Sequence, residues 1–237
     1  MIKNVLFDLD GTLLPMDMDE FTGGYFKLLV KKAMAYSDAY TADDLIKTIW
    51  GGVKAMVTNN GEMTNEEAFW KYFASVYGED ALEDKFIFDE FYANEFEGAK
   101  AFTGFNPEAK PTVEAIKAAG YKVVLATNPI FPAIATIKRC GWTGLDVTDF
   151  EAFTTYENSA YSKPNPQYYI ELLKKLNMDP AECLMVGNDV TEDMEAGLKA
   201  GMQVFLITDC MINKEEKDIN NYPHGTFADL REYLKLK

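Results

Sequence analysis

The stretch Ile2-Lys3-Asn4-Val5-Leu6-Phe7-Asp8-Leu9-Asp10-Gly11-Thr12 runs from a mostly apolar segment straight into two carboxylates and a glycine. The segment up to Phe7 reads as a short buried strand, so Asp8 and Asp10 fall at its exit. Alternate side chains of an extended chain share a face. Two unpaired carboxylates on that face repel each other and resist burial. A divalent cation beside them removes the conflict, and a carboxylate next to a cation can attack phosphorus. A plain strand-to-turn reading also accommodates Asp and Gly. Three further clusters downstream weigh against it.

Outward from this stretch the pattern changes twice. From about Asp17 to Lys100 apolar residues recur at three- and four-residue intervals: Phe21, Tyr25, Leu28 and Leu29; Leu45, Ile49 and Val53; Phe69, Phe73 and Val76. Thr41 ahead of Asp43 and Asp44 has the character of a helix N-cap with acids in the first turn. Thr64 with Glu67 three residues on fits a capping box. The spacing predicts a four-helix insertion without strands over residues 17–100. After about Phe105 the rhythm becomes helix, strand, helix, strand. Helices are expected over Pro107 to Ala119, Phe131 to Cys140, Pro166 to Leu176, Thr191 to Ala200 and Phe227 to Leu234. Strands are expected over Tyr121 to Ala126, Phe150 to Thr155, Cys183 to Val186 and Gln203 to Ile207. This alternation predicts an α/β fold, a doubly wound parallel sheet covered on both faces. Residues 1–16 and 101–237 are expected to form its core, and residues 17–100 a helical insertion into it.

The bulk properties narrow the partners. The chain has 237 residues, 48% hydrophobic, with a formal charge of −15. Such an acidic chain argues against a nucleic-acid backbone or an anionic membrane surface as partner. A small anionic molecule stays open to it if a metal, a lysine and helix N-termini reverse the field locally. Cys140, Cys183 and Cys210 are widely spaced and match neither a disulfide framework nor a zinc pattern. Asp8 interrupts the N-terminal apolar run, and no stretch is long enough to span a bilayer. A cytoplasmic location is expected. The only histidine, His224, lies outside every cluster, and a surface or loop role is expected for it.

Ligands of parallel α/β sheets bind beyond the carboxyl ends of the strands, and every chemical cluster here falls at or just past such an end. Asp8 and Asp10 follow the first strand. Thr127 and Asn128 follow the Tyr121–Ala126 strand. Lys163 lies in the loop after residues 150–155. Asp189 follows the Cys183–Val186 strand, with Asp193 in the next helix's first turn. Asp8-Leu9-Asp10-Gly11-Thr12-Leu13, Ala126-Thr127-Asn128, Ser162-Lys163-Pro164-Asn165-Pro166 and Val186-Gly187-Asn188-Asp189 with Asp193 resemble, in order and strand context, the motifs of the haloacid dehalogenase superfamily. The helical insertion is similar to that family's cap.

The resemblance implies a role for each residue. Asp8 would be the nucleophile that forms an aspartyl-phosphate. Asp10 would protonate the leaving oxygen and then activate water, with its backbone carbonyl on the metal. Thr127 would hydrogen-bond a phosphoryl oxygen, with Asn128 contributing from the same turn. Lys163 would pair with Asp8 and neutralise charge growing on the phosphoryl group. Asp189 would be the direct metal ligand, and Asp193 would act through water or orient Lys163. Many members carry Asp directly after the motif glycine, where this chain has Asn188 and then Asp189. All-oxygen ligands and phosphate chemistry favour Mg2+.

Dehalogenases of the family lack the second aspartate and the metal, so Asp10 and Asp189 favour phosphoryl transfer. The expected function is Mg-dependent hydrolysis of a small phosphorylated metabolite. A sugar-phosphate phosphomutase on the same core is the alternative. It would need a cation in the cap for a second phosphate; Lys54, after Trp50-Gly51-Gly52, is the preferred candidate. A non-catalytic phosphate-binding protein is a third reading, and the intact Asp8, Asp10, Lys163 and Asp189 argue against it.

Overall fold

Val5, Leu6 and Phe7 are completely buried, because β1 (Asn4–Phe7) runs through the middle of a parallel sheet. The computed structural model describes residues 1–236. β2 (Lys122–Leu125), β3 (Cys183–Gly187), β4 (Gln203–Ile207) and the short β5 (His224–Gly225) complete a five-stranded sheet in the order β2-β1-β3-β4-β5, every pairing parallel. Phe7 is in register with Leu125 on one side and Val186 on the other. The ends of β1, β2 and β3 therefore lie level, and the loops after them share one rim.

The sheet is covered on both faces. Four helices separate β1 from the next core element: α1 (Met18–Tyr36), α2 (Ala42–Val57), α3 (Asn65–Tyr77) and α4 (Lys85–Ala93). The core helices are α5 (Ala109–Ala118), α6 (Ala133–Trp142), α7 (Pro166–Leu176), the short α8 (Ala196–Lys199) and α9 (Phe227–Tyr233). Val5, Phe7, Leu184, Val186, Phe205 and Ile207 bury one face in a cluster that includes Val113, Ile116 and Leu230. Leu6, Met185, Val204 and Leu206 bury the other against Tyr168, Tyr169 and Leu172. The alternation is the period of two expected of extended chain.

The capping residues read from the sequence occupy those positions. Thr41 accepts from the Asp44 amide, and Thr64 and Glu67 close a reciprocal capping box. Two expected elements differ. Residues 150–155 lie along the outer edge of β2, where Glu151 N donates to Val123 O and Thr154 N to Leu125 O. They form a single bridge, Phe153 to Leu125, instead of a strand. Thr154 Oγ1 then turns back to Thr127 O at 2.7 Å and Tyr156 N donates to Phe131 O at 3.0 Å, so the ladder goes no further. The helix expected from Thr191 begins instead as a π-helical turn, Val190–Glu195, before α8.

The α1–α4 layer is not independent of the sheet. Gly104 N donates to Pro15 O at 2.7 Å, so the chain leaves and re-enters the core side by side. Asn65, fully buried at the start of α3, fixes the layer at a second point. Its Nδ2 lies 3.0 Å from Pro129 O and 3.0 Å from Ser162 Oγ, and its Oδ1 accepts from Asn59 Nδ2 at 3.0 Å. Its backbone N donates to Ser159 O at 2.8 Å. Asn65→Ala would strand several buried polar atoms. It should lower unfolding stability by about 1–3 kcal/mol, read as the urea midpoint at unchanged slope. A cost near zero would mean that these hydrogen bonds do not hold the layer in place.

Candidate active site

Lys163 lies at the centre of the rim, and it is 1% exposed. Its ammonium donates to Asp8 Oδ1 at 2.8 Å and to Asp193 Oδ1 at 2.7 Å. Burying an ammonium is expensive unless charged partners replace its water. Here two carboxylates do, with the rings of Tyr168 and Tyr169 each 5.9 Å away. Tyr169 also donates its hydroxyl to Asp193 Oδ1 at 3.2 Å.

Asp193 is fully engaged. Its second oxygen accepts from the backbone amides of Asn188 and Asp189 at 3.1 and 3.0 Å. That carboxylate lies against Gly187, where an added Cβ would fall 2.2 Å from it. The glycine ending β3 is thus what lets the turn fold back on itself. Asp189 caps this turn: its Oδ1 accepts from the amides of Thr191 and Glu192 at 2.7 and 2.8 Å. Asn188 is the residue of this segment that reaches the Asp8 pocket. Its Nδ2 donates to Cys210 O at 2.7 Å, which turns its Oδ1 toward Thr12 Oγ1 at 3.0 Å. Thr12 Oγ1 lies 3.3 Å from Asp8 Oδ2. Gly11, at φ +85°, makes room, since a Cβ there would meet the Asn188 amide at 2.3 Å.

Asp10 faces elsewhere. Leu9 between the two acids is completely buried, and Asp10 reaches α6, where it forms an ion pair with Arg139. Arg139 is itself fully buried, with its guanidinium carbon 4.3 Å from the centre of the Phe131 ring. The other Asp10 oxygen, Oδ1, is buried without a hydrogen-bond partner. Asp10 also lines a cavity of about 100 Å3 between the α1–α4 layer and the core.

Thr127 is 1% exposed at the end of β2. Its carbonyl is held by Thr154 Oγ1 and by the Tyr168 hydroxyl at 2.9 Å. Asn128 Nδ2 donates to Glu192 Oε2 at 3.0 Å. Asp8, Lys163 and Asp193 therefore meet directly, and Thr127, Asn128 and Asp189 border them. Lys54 does not join them: it is exposed on α2 and absent from the cavity wall. Sequence reasoning passed over Arg139, Tyr169, Glu192 and the separate role of Asn188. One signal pointed to Arg139, one of only two arginines in the chain.

Asp8 and Asp193 touch this lysine, and Asp189 and Glu192 lie near enough to feel its charge. Burial pushes the Asp8 carboxyl up to about 7; Lys163 opposes the shift, while Asp193 and Asp10 add to it. Burial pulls Lys163 the other way, but Asp193 and Asp8 outweigh it and hold the ammonium well above its ordinary range. Burial also raises Glu192 to about 7 and raises Asp189. The site thus has surplus negative charge. It is also short of hydrogens: the one hydroxyl hydrogen of Thr12 lies between two acceptors, Asp8 Oδ2 and Asn188 Oδ1. Oxygen donors in excess of hydrogens suit a hard divalent cation. Among the described residues no three His, Cys, Asp or Glu side chains converge on a metal position. The oxygens gathered around the Thr12 hydroxyl hydrogen are those of the Asp8 carboxylate and the Asn188 amide.

Residues 2–201 match the haloacid dehalogenase-like hydrolase family. The phosphoglycolate phosphatase of Aquifex aeolicus (strain VF5) is 26% identical over 211 residues, spanning 86% of this chain and 84% of that protein. Among solved structures, the 2-haloacid dehalogenase from Pseudomonas syringae pv. Tomato DC3000 superposes with a TM-score of 0.65 at 20% identity, covering 99% of each chain. The HAD-hydrolase YfnB from Bacillus subtilis, solved bound to magnesium, gives a TM-score of 0.58 at 18% identity, again covering 99% of each. At such identities the two structures speak for the fold alone. With a parallel sheet, a lysine–aspartate centre at its rim and a family match over most of its length, this chain belongs to the haloacid dehalogenase-like hydrolases.

Proposed function

We propose that the protein is a magnesium-dependent phosphatase that hydrolyses a small phosphate monoester through an aspartyl-phosphate on Asp8. The observation that carries this reading is Lys163 held between Asp8 and Asp193 at the level rim of β1 and β3. A fixed ammonium against a buried carboxylate is a ready seat for a phosphoryl group, whose charge it offsets as the transition state forms. The Aquifex relative, named for phosphoglycolate, supports phosphate esters as the substrate class.

The steps follow from the chain's own groups. The Asp8 carboxylate attacks phosphorus, and the bond to the leaving alcohol oxygen breaks. Asp10 gives that oxygen a proton; Arg139 anchors one Asp10 oxygen and leaves the other turned free. Thr127 and the Lys163 ammonium hold the phosphoryl oxygens. Asp10 then takes a proton from water, which attacks phosphorus and frees Asp8 and inorganic phosphate. Asp193 fixes Lys163 and, through two amides, the turn carrying Asn188. A magnesium ion on Asp8, the Asp10 carbonyl and Asn188 would offset charge on the phosphoryl oxygens; Asp189, occupied as a cap, is the less suited donor. Residues 17–100 would serve as a cap that shields the reaction from bulk water, over a core of residues 1–16 and 101–237. A phosphomutase would need a second cationic seat beneath the cap. The cavity wall carries neither lysine nor arginine, which favours hydrolysis.

Asp8→Asn should abolish phosphate release while circular dichroism and melting temperature stay close to those of the wild type. Wild-type turnover in a folded variant would remove Asp8 as nucleophile. Asp10→Asn should lower kcat by roughly 10²–10⁴; a twofold loss would assign the proton transfers elsewhere. Exhaustive chelation should silence phosphate release and lower the melting temperature, and magnesium should restore both. Activity that survives chelation would exclude the metal. Asn188→Ala should weaken magnesium binding about tenfold or more by calorimetry. Asp189→Ala should instead cost about 0.5–2 kcal/mol of stability as a lost cap. The reverse pattern would make Asp189 the ligand.

A further inference from the structure

The cavity at Asp10 is the space beside the rim where a leaving group could lie, and its wall is predominantly apolar. Phe21, Phe26, Ile49, Val53, Phe69 and Phe131 make up much of the lining, and Asp10 is the one charged residue in it. The tyrosine hydroxyls of Tyr25 and Tyr92, both in the wall, satisfy each other at 2.8 Å. Arg139 lies behind the wall, committed to Asp10. Lys27, Lys31, Lys47, Lys54 and Lys71 of the helical layer are all exposed, and none lines the cavity. A carboxylate placed here would meet Asp10 and no cation. A polyol would lose its water and meet only scattered polar atoms, on Thr22, Trp70 and Tyr156, at a cost for each unmade hydrogen bond.

An apolar group gains on the same wall. The space of about 100 Å3 is smaller than the roughly 150 Å3 apolar cavity that accepts a benzene ring. It suits an alkyl chain of roughly four carbons. Two buried wall atoms lack a partner, Asp10 Oδ1 and Trp70 Nε1; of these, the Asp10 carboxyl oxygen is the one suited to exchange a proton with the alcohol oxygen at the base of that chain.

We propose that the substrate is a phosphate monoester of a short aliphatic alcohol, with its alkyl group in this cavity and its bridging oxygen at Asp10. This rests on the phosphatase reading above and deepens it. Apolar contacts distant from phosphorus bind ground and transition states alike, so they register in kcat/KM. Each methylene transferred from water to an apolar site is worth about a fourfold gain.

The test is initial-rate phosphate release by the full chain with magnesium, across methyl, ethyl, propyl, butyl, pentyl and hexyl phosphate, with 2-phosphoglycolate and glucose 6-phosphate alongside. The expected result is a kcat/KM that climbs about fourfold per carbon to butyl or pentyl and then stops climbing. Phosphoglycolate and glucose 6-phosphate should fall at least about tenfold below butyl phosphate. Val53→Phe, which narrows the space, should move the optimum to a shorter chain. A flat series, an unmoved optimum or a preference for phosphoglycolate, with phosphate release still dependent on Asp8, would overturn the alkyl assignment and leave the phosphatase standing. No phosphate from any ester would overturn both.

Discussion

A buried ammonium between two carboxylates is the constraint from which the site follows. Lys163 has almost no contact with solvent, so Asp8 and Asp193 must supply what water would have supplied. Those acids come from opposite ends of the chain, and only a parallel sheet with β1 next to β3 brings them to one point. Gly187 then has to be a glycine, because the Asp193 carboxylate occupies the space of its side chain. Gly11 makes the equivalent room for Asn188 on the other side. Sheet order, turn geometry and glycine placement are thus consequences of housing one charge.

The same constraint explains how a chain of net charge −15 can host an anion. Its surface field repels phosphate esters at long range, but screening shortens that reach to about 8 Å at physiological salt. Inside the rim the local balance decides. Lys163 contributes a cation kept charged by its two acids, while burial and neighbouring acids raise Asp8 toward neutrality. A divalent cation on Asp8 would reverse that second effect and restore the carboxylate as a nucleophile. The lysine and such a metal would thus address different parts of one problem: the first would receive the incoming charge, and the second would free the attacking one.

Much of this was legible in the residues. Apolar runs ending in acids, Thr127 or Gly187 marked the strand exits, and Thr41 and Thr64 announced helix starts through local chemistry that the fold leaves intact. What escaped depends on distance. Arg139 reads as an ordinary basic residue in a helix's last turn, and its ion pair with Asp10 spans 129 residues. The choice between Asn188 and Asp189 turns on which side chain a backbone amide claims first: Thr191 and Glu192 take Asp189, and Cys210 O takes the Asn188 nitrogen. Residues 150–155 have strand-like composition, but their pairing with β2 stops at Thr154, because the Thr154 and Tyr168 hydroxyls occupy Thr127 O and Tyr156 N turns to Phe131 O.

The helical layer divides labour with the sheet. Its aromatic residues pack edge to face around Phe73, with Trp70 at 5.2 Å and Phe88 at 5.5 Å, and such packing favours a rigid, dry surface. The polar work is left to the rim. Asn65 joins the two, because its hydrogen bonds end on Pro129 O and Ser162 Oγ, next to Asn128 and Lys163. A layer fixed at that point cannot shift without disturbing the loops that carry Asn128 and Lys163. The apolar wall and the charged rim meet at Asp10, which lines the cavity and follows Asp8 by two residues; on the reading proposed above, the rim would select the phosphate and the wall what it is attached to.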